Sequence, residues 1–156
     1  MDPLSLSQPQ PLLVDTHCWL WLQSEPQRIS PGVLRRLGAP ETRRWLSVVS
    51  LWEIAIKHAL GKLPLPEPPA EYVPHRMLVS GFEALAIEAH HALRVARLPH
   101  HHGDPFDRLL IAQAQATGVP VVTVDRAFED YDVEVIWADM EPGGELHEPR
   151  ARYGER

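Results

Sequence analysis

Apolar residues in this chain recur in two spacings, and the alternation between them predicts its architecture. Leu12-Leu13-Val14 is an unbroken run of the kind that forms a strand buried on both faces. Asp15-Thr16 ends it, before a segment in which Trp19, Leu20 and Leu22 fit a short helix. Ser30-Pro31 opens a second helix with Val33, Leu34 and Leu37 facing inward, closed by Gly38-Ala39-Pro40. Residues 45–49 are the next predicted strand. Ser50 and Glu53 then have the spacing of a capping box, which predicts a helix from there to about Leu60, with Ile54 and Ile56 apolar, Lys57 solvent-facing and Gly61 as its stop. Beyond a proline-rich loop at 62–69, a helix is predicted over 72–79, a strand over 84–87 and a helix over 88–96.

The pattern is clearest from Asp104 to Asp125. Pro105 stands where a helix begins, Asp104 precedes it as a cap, and Phe106, Leu109, Leu110 and Ala114 make an apolar face at helical spacing, so one capped helix is predicted over 104–117. Gly118 permits the left-handed turn that ends it, and residues 120–123 form a β-branched run that stops at Asp125. A helical turn over 128–131 and a strand over 133–137 follow. Strand followed by helix, repeated, predicts an α/β fold with a parallel sheet covered on both faces. It would form one domain over 12–138, with flexible segments at 1–11 and 139–156.

Composition changes this picture little. A length of 156 residues with 44% apolar and 23% charged content suits one folded domain. The single cysteine, Cys18, excludes an internal disulfide, and the lack of a basic leader or an apolar span of roughly 20 residues predicts a cytoplasmic protein. A net charge of −6 argues against a broad basic surface for nucleic acid. Five carboxylates fall at or beside turns, however: Asp15, Glu53, Asp104, Asp107 and Asp125. If these form one site, the rest of the chain is nearly neutral, and a divalent cation would offset part of the local charge.

Each acid alone is explained as a helix cap. Together they are harder to dismiss, because loops at the carboxyl ends of parallel strands gather on one sheet edge, where like charges repel unless a cation or proton compensates. Hard oxygen ligands around an open site suit Mg²⁺ or Mn²⁺ with water and phosphate oxygens completing the shell. That arrangement suits phosphodiester hydrolysis, with a metal-activated water and a metal-free carboxylate to position it.

Three stretches carry a resemblance: Leu12-Leu13-Val14-Asp15-Thr16-His17 with Trp21; Ser47 to Ile54 with Gly61-Lys62-Leu63; and Asp104-Pro105-Phe106-Asp107-Arg108-Leu109-Leu110-Ile111-Ala112-Gln113-Ala114. In that order they resemble the PIN-domain ribonucleases, and among these the VapC-type toxins of bacterial toxin–antitoxin pairs, over roughly residues 12–137. The resemblance implies a three-layer α/β/α sandwich with a central parallel sheet, RNA cleavage dependent on Mg²⁺ or Mn²⁺, a homodimer, and inhibition by a small cognate antitoxin. Asp15 matches the family's first-strand acid, Glu53 the acid of the following helix and Asp107 the third, while Asp125 falls in the region of the fourth. These four are the expected catalytic residues, and Asp15, Asp104, Asp107 and Asp125 the expected metal ligands, Asp104 serving as ligand or only as cap.

A catalytically silent PIN-like module that binds RNA or a partner is the alternative of a different class; a DNA nuclease is a third reading. His90, His91, His100, His101 and His102 show no structural zinc spacing and read as a solvated loop, from which one histidine can touch RNA phosphate or make activity pH-sensitive. Trp19, Trp21 and Trp52 are expected in the core rather than stacked on RNA bases.

Overall fold

The structure is a computed structural model in which residues 9–141 are described. The remainder of the two expected flexible segments, 1–8 and 142–156, lies outside the described residues. The elements run β1 (Leu12–Val14), α1 (Thr16–Ser24), α2 (Pro31–Gly38), β2 (Arg44–Ser47), α3 (Val48–Ala59), α4 (Pro69–Ser80), β3 (Phe82–Leu85), α5 (Ala89–Arg94), α6 (Pro105–Thr117), β4 (Val121–Thr123) and β5 (Val135–Trp137). Single 3₁₀ turns cover Pro26–Arg28, Val95–Arg97 and Arg126–Asp130.

All pairings in the five-stranded sheet are parallel, in the order β3-β2-β1-β4-β5. Strand side chains alternate between two apolar layers. Leu12 and Val14 of β1 and Val122 of β4 pack with Trp19, Val33, Leu37, Ile54, Val73 and Met77 of the first four helices. Leu13 and Val121 face the opposite layer, which α6 supplies through Leu110, Ile111, Ala112 and Ala114. A sheet covered on both faces explains why β1 and β4 read as continuous apolar runs, and the three-layer α/β/α sandwich with a central parallel sheet is as expected.

Several boundaries differ from the pattern. Residues 48–49 were expected in a strand, yet they open α3, because the Ser47 side chain caps the helix by accepting from the Val49 amide at 3.0 Å. The same hydroxyl donates to Gln113 Oε1, and Gln113 Nε2 donates to the Ala86 carbonyl at 3.2 Å. One buried amide thus ties α6 to the ends of two strands. β3 starts earlier than expected, anchored by Phe82, whose ring meets Trp19 edge-on at 6.4 Å. α4 also starts earlier, at Pro69, and carries Pro74 within it. Trp19 is buried and Trp21 half-buried against the core, but Trp52 is 52% exposed and meets only the edge of the Phe106 ring among its aromatic contacts, at 5.1 Å. Residues 139–141, expected in the flexible tail, are docked on α2: Ser30 Oγ donates to the Met140 carbonyl at 2.9 Å, and the Gly32 amide to Glu141 Oε2 at 3.1 Å.

Gly118 closes α6 at φ +70° with nothing near the position a Cβ would take, so its cost on substitution is purely conformational. Gly118→Ala is expected to destabilise the fold by about 1–2 kcal/mol, read as a lower urea midpoint with unchanged denaturant slope. An unchanged midpoint would show that α6 can end without a left-handed residue.

Candidate active site

The strand order reverses between β1 and β4, the place where an open α/β sheet leaves a crevice at its carboxyl edge. Register decides what lies there. Val14 pairs with Val122, so Asp15 emerges beside Thr123. The Asp15 amide donates to the Val122 carbonyl at 2.9 Å, and Thr123 Oγ1 donates to Asp15 Oδ2 at 2.7 Å. That hydroxyl oxygen also accepts from the Asp125 amide at 3.0 Å. Thr123 therefore holds two acids from adjacent strand ends. Asp15 stands at the N-cap position of α1, but its side chain makes no capping bond, so capping does not account for it. Asp125 does cap: its Oδ1 accepts from the Ala127 amide at 3.0 Å.

Glu53 changes meaning with the start of α3. Because the cap is Ser47, the expected capping box of Ser50 and Glu53 does not form. Ser50 instead accepts from Thr16 Oγ1 at 2.7 Å, which joins the first turn of α1 to α3. Glu53 is buried in the second turn of α3 and paired with Lys57 four residues on. Lys57 is consequently a partner of the acid, not the solvent-facing residue expected.

At the head of α6, Asp104 Oδ1 accepts from the amides of Phe106 at 2.8 Å and Asp107 at 3.3 Å. This confirms the cap. Asp107 follows at the third helical position, where the positive end of the helix favours a carboxylate, and its Oδ2 lies 2.8 Å from His102 Nε2. The histidine-rich loop is held from beneath by Arg108. This buried guanidinium donates to the carbonyls of Val95, Leu98, Pro99 and His102 and to the Tyr131 hydroxyl, at 2.8–3.4 Å. His102 is thereby fixed against the site, while buried His91 has a structural role, its Nδ1 accepting from the Glu88 amide at 3.0 Å.

These groups share one field. Burial, then the Asp15 charge, push the Asp107 carboxyl up to about 7, with Asp104 and Asp125 adding and the His102 bond opposing. Asp15 is likewise raised, by burial first and by Glu53, against the Thr123 bond and His17. The bond to Asp107 raises His102. Among the described residues, His102, Asp104 and Asp107 each offer one donor atom within 4.8 Å of the others. Asp15 and Asp125 lie outside that close set; Thr123 joins them to each other, and both act on Asp107 through charge. Sequence reasoning had not singled out Thr123, Lys57 or Arg108, nor chosen His102 from its loop. A threonine closing a strand two residues before an acid was the one available signal.

Residues 12–134 match the family described as the PIN domain. The chain belongs to the PIN-domain family. Ribonuclease VapC16 of Mycobacterium tuberculosis is 56% identical to it over 52 residues, 33% of this chain and 37% of that protein. The match thus spans little more than a third of the curated relative's length. The solved structure of VapBC2 from Rickettsia felis, bound to a DNA fragment from their promoter, superposes at a TM-score of 0.61 with 13% identity, covering 81% of this chain and 97% of that one. FitAcB from Neisseria gonorrhoeae gives 0.54 at 23% identity, with 81% and 97% covered. At such identities these two likenesses establish the PIN fold. No helix among the described residues is long and apolar enough to cross a membrane.

The sign of the pH dependence follows from the Asp107 and His102 shifts. Both folded-state values are raised: the Asp107 shift makes the folded cluster hold an extra proton between about pH 4 and 7, the His102 shift does so from about pH 6.5 upward, and each loses stability as pH rises. With chelator present, the contribution of the cluster to stability should fall over those windows by up to about 1.4 kcal/mol per pH unit for each proton held in excess, read as a lower melting temperature. Asp107→Asn should flatten the profile. A profile equally steep in this variant would place the excess proton elsewhere.

Proposed function

We propose that this chain is a metal-dependent endoribonuclease of the VapC type, the toxin of a toxin–antitoxin pair, which hydrolyses RNA phosphodiester bonds in the cytoplasm. The observation that carries this reading is the convergence of Asp15, Glu53, Asp107 and Asp125 at the strand-order switch, with Asp107 held near neutrality by burial and like charge. The name of the partial relative, a ribonuclease, supports the choice of reaction.

The residues fit a divalent cation. A group of buried and half-buried carboxylates with one adjacent ammonium, Lys57, has charge left to compensate, and oxygen donors with the His102 imidazole beside them suit Mg²⁺ or Mn²⁺. Asp15, Asp104, Asp107 and Asp125 are the proposed ligands, with His102 bearing on Asp107. When bound, such a cation lowers the pKa of coordinated water and stabilises charge on the attacked phosphate. Asp107 must lose its proton to act as a ligand, so loading and protonation compete. Thr123 keeps Asp15 oriented. Glu53, paired with Lys57, is the carboxylate left to orient the attacking water.

The partners proposed are an RNA substrate, a second copy in a homodimer and a small antitoxin. An arginine fork from the antitoxin would match the carboxylate cluster and replace part of the cation's charge. Two solved structures that share this fold, from Klebsiella pneumoniae and Mycobacterium tuberculosis, are by their titles a toxin–antitoxin complex and a member of a toxin–antitoxin family, which supports that partner.

RNA cleavage is expected to need added Mg²⁺ or Mn²⁺ and to stop with chelator. Asp107→Asn should lower the rate at least about 100-fold and weaken metal affinity while the fold persists. Asp104→Asn should be milder, with stability within about 1 kcal/mol, because Asn caps helices about as well as Asp. Cleavage in excess chelator, contaminating nuclease excluded, would sink the metal mechanism, and a reversed order of the two variants would exchange their roles. A protein that binds Mn²⁺ but cuts no RNA would be the silent module.

A further inference from the structure

Glu53 borders a second space. A cleft of about 250 Å³ is lined by Thr16, His17, Glu53, Lys57, Lys62 and Leu63, among others. Its shape comes from how α3 ends. Gly61 takes φ +72°, its amide donates to the His58 carbonyl at 3.0 Å, and the Lys62 amide donates to the Lys57 carbonyl at 2.9 Å. The chain thereby folds back along the last turn of α3. Leu63 and Leu65 then pack against the core, and the Leu63 carbonyl lies 3.0 Å from His58 Nδ1. This reversal puts Lys57 and Lys62, five positions apart, in one cleft.

The two lysines are not equivalent. Lys57 is committed to Glu53, whereas Lys62 is exposed and takes part in none of the ion pairs found among the described residues. A chain with net charge −6 here presents two ammonium groups and an imidazole beside Glu53. Such a contrast suits a polyanion that must reach the acids without being repelled on its way. A space of about 250 Å³ holds a phosphate group and not a folded partner, and Glu53 lines it while its charge acts on Asp15, so a strand with one phosphate at the acids would run into the cleft.

We propose that this cleft binds a phosphate of single-stranded nucleic acid flanking the scissile one, with Lys62 as its exposed contact and Lys57 as a second cation kept in place by Glu53. The inference deepens the ribonuclease reading and rests on it for the position of the scissile phosphate. Binding tests it separately from cleavage. Anisotropy of a labelled single-stranded RNA oligonucleotide would be followed in EDTA over a salt series. Lys62→Ala should weaken binding about fivefold and reduce the slope of log affinity against log salt by about 0.7, the share of one phosphate contact. Lys62→Arg should restore both. Arg35→Ala removes the same charge from the exposed face of α2 and should leave the slope alone. Wild-type affinity and slope in Lys62→Ala, or equal effects of Lys62→Ala and Arg35→Ala, would overturn the subsite; circular dichroism confirms that each variant is folded. If the Lys62 contrast is present but the wild-type protein cuts no RNA in Mn²⁺, the cleft stands and the ribonuclease reading fails.

Discussion

The parallel register of β1 on β4 sets Asp15 beside Thr123, and one hydroxyl then donates to Asp15 while accepting from the Asp125 amide. Placing carboxylates this close at a buried edge opposes folding unless protons, cations or directed hydrogen bonds compensate. Here all three contribute: the raised Asp107, the Lys57 pair with Glu53, and the Thr123 bond to Asp15. The apolar layers on either side of the sheet make that concentration tolerable, since Leu13, Val14, Val121 and Val122 hold the two strands together regardless of what their ends carry.

Helix α6 joins most of the remaining requirements. Its first turn presents Asp107, and its buried face supplies Leu110, Ile111, Ala112 and Ala114 to one apolar layer. From the same turn Arg108 gathers the carbonyls of residues 95–102, so the histidine loop cannot move far from the acid it touches. A guanidinium buried without a carboxylate is costly unless its donors are met. Carbonyls from an irregular loop meet them, and the loop's unpaired backbone is satisfied in return. The histidine-to-aspartate contact is thus a consequence of core packing one residue further along the helix.

This division of charge also accounts for an acidic protein as a candidate handler of RNA. Acids are collected at the sheet edge, while Lys57, Lys62 and His17 line the adjoining cleft. The overall balance of −6 therefore says little about the field that an approaching strand would meet.

The sequence by itself determined the elements whose signals are local. The capped helix α6, with Asp104, Pro105 and Gly118, follows from chemistry within one or two turns, as does the alternation that implies a parallel sheet. The acids at the site were legible as acids at turns. Only tertiary structure decided what each one does. Ser47 outcompetes Ser50 as a cap because its hydroxyl also reaches Gln113, which is distant in sequence, and this choice frees Glu53 from capping. Thr123 matters only through strand register, and His102 stands out from its neighbours only because Arg108 folds the loop onto α6. Trp52 was misjudged for the same reason: a helical apolar position is buried only if another element covers it, and sequence periodicity does not say which elements meet.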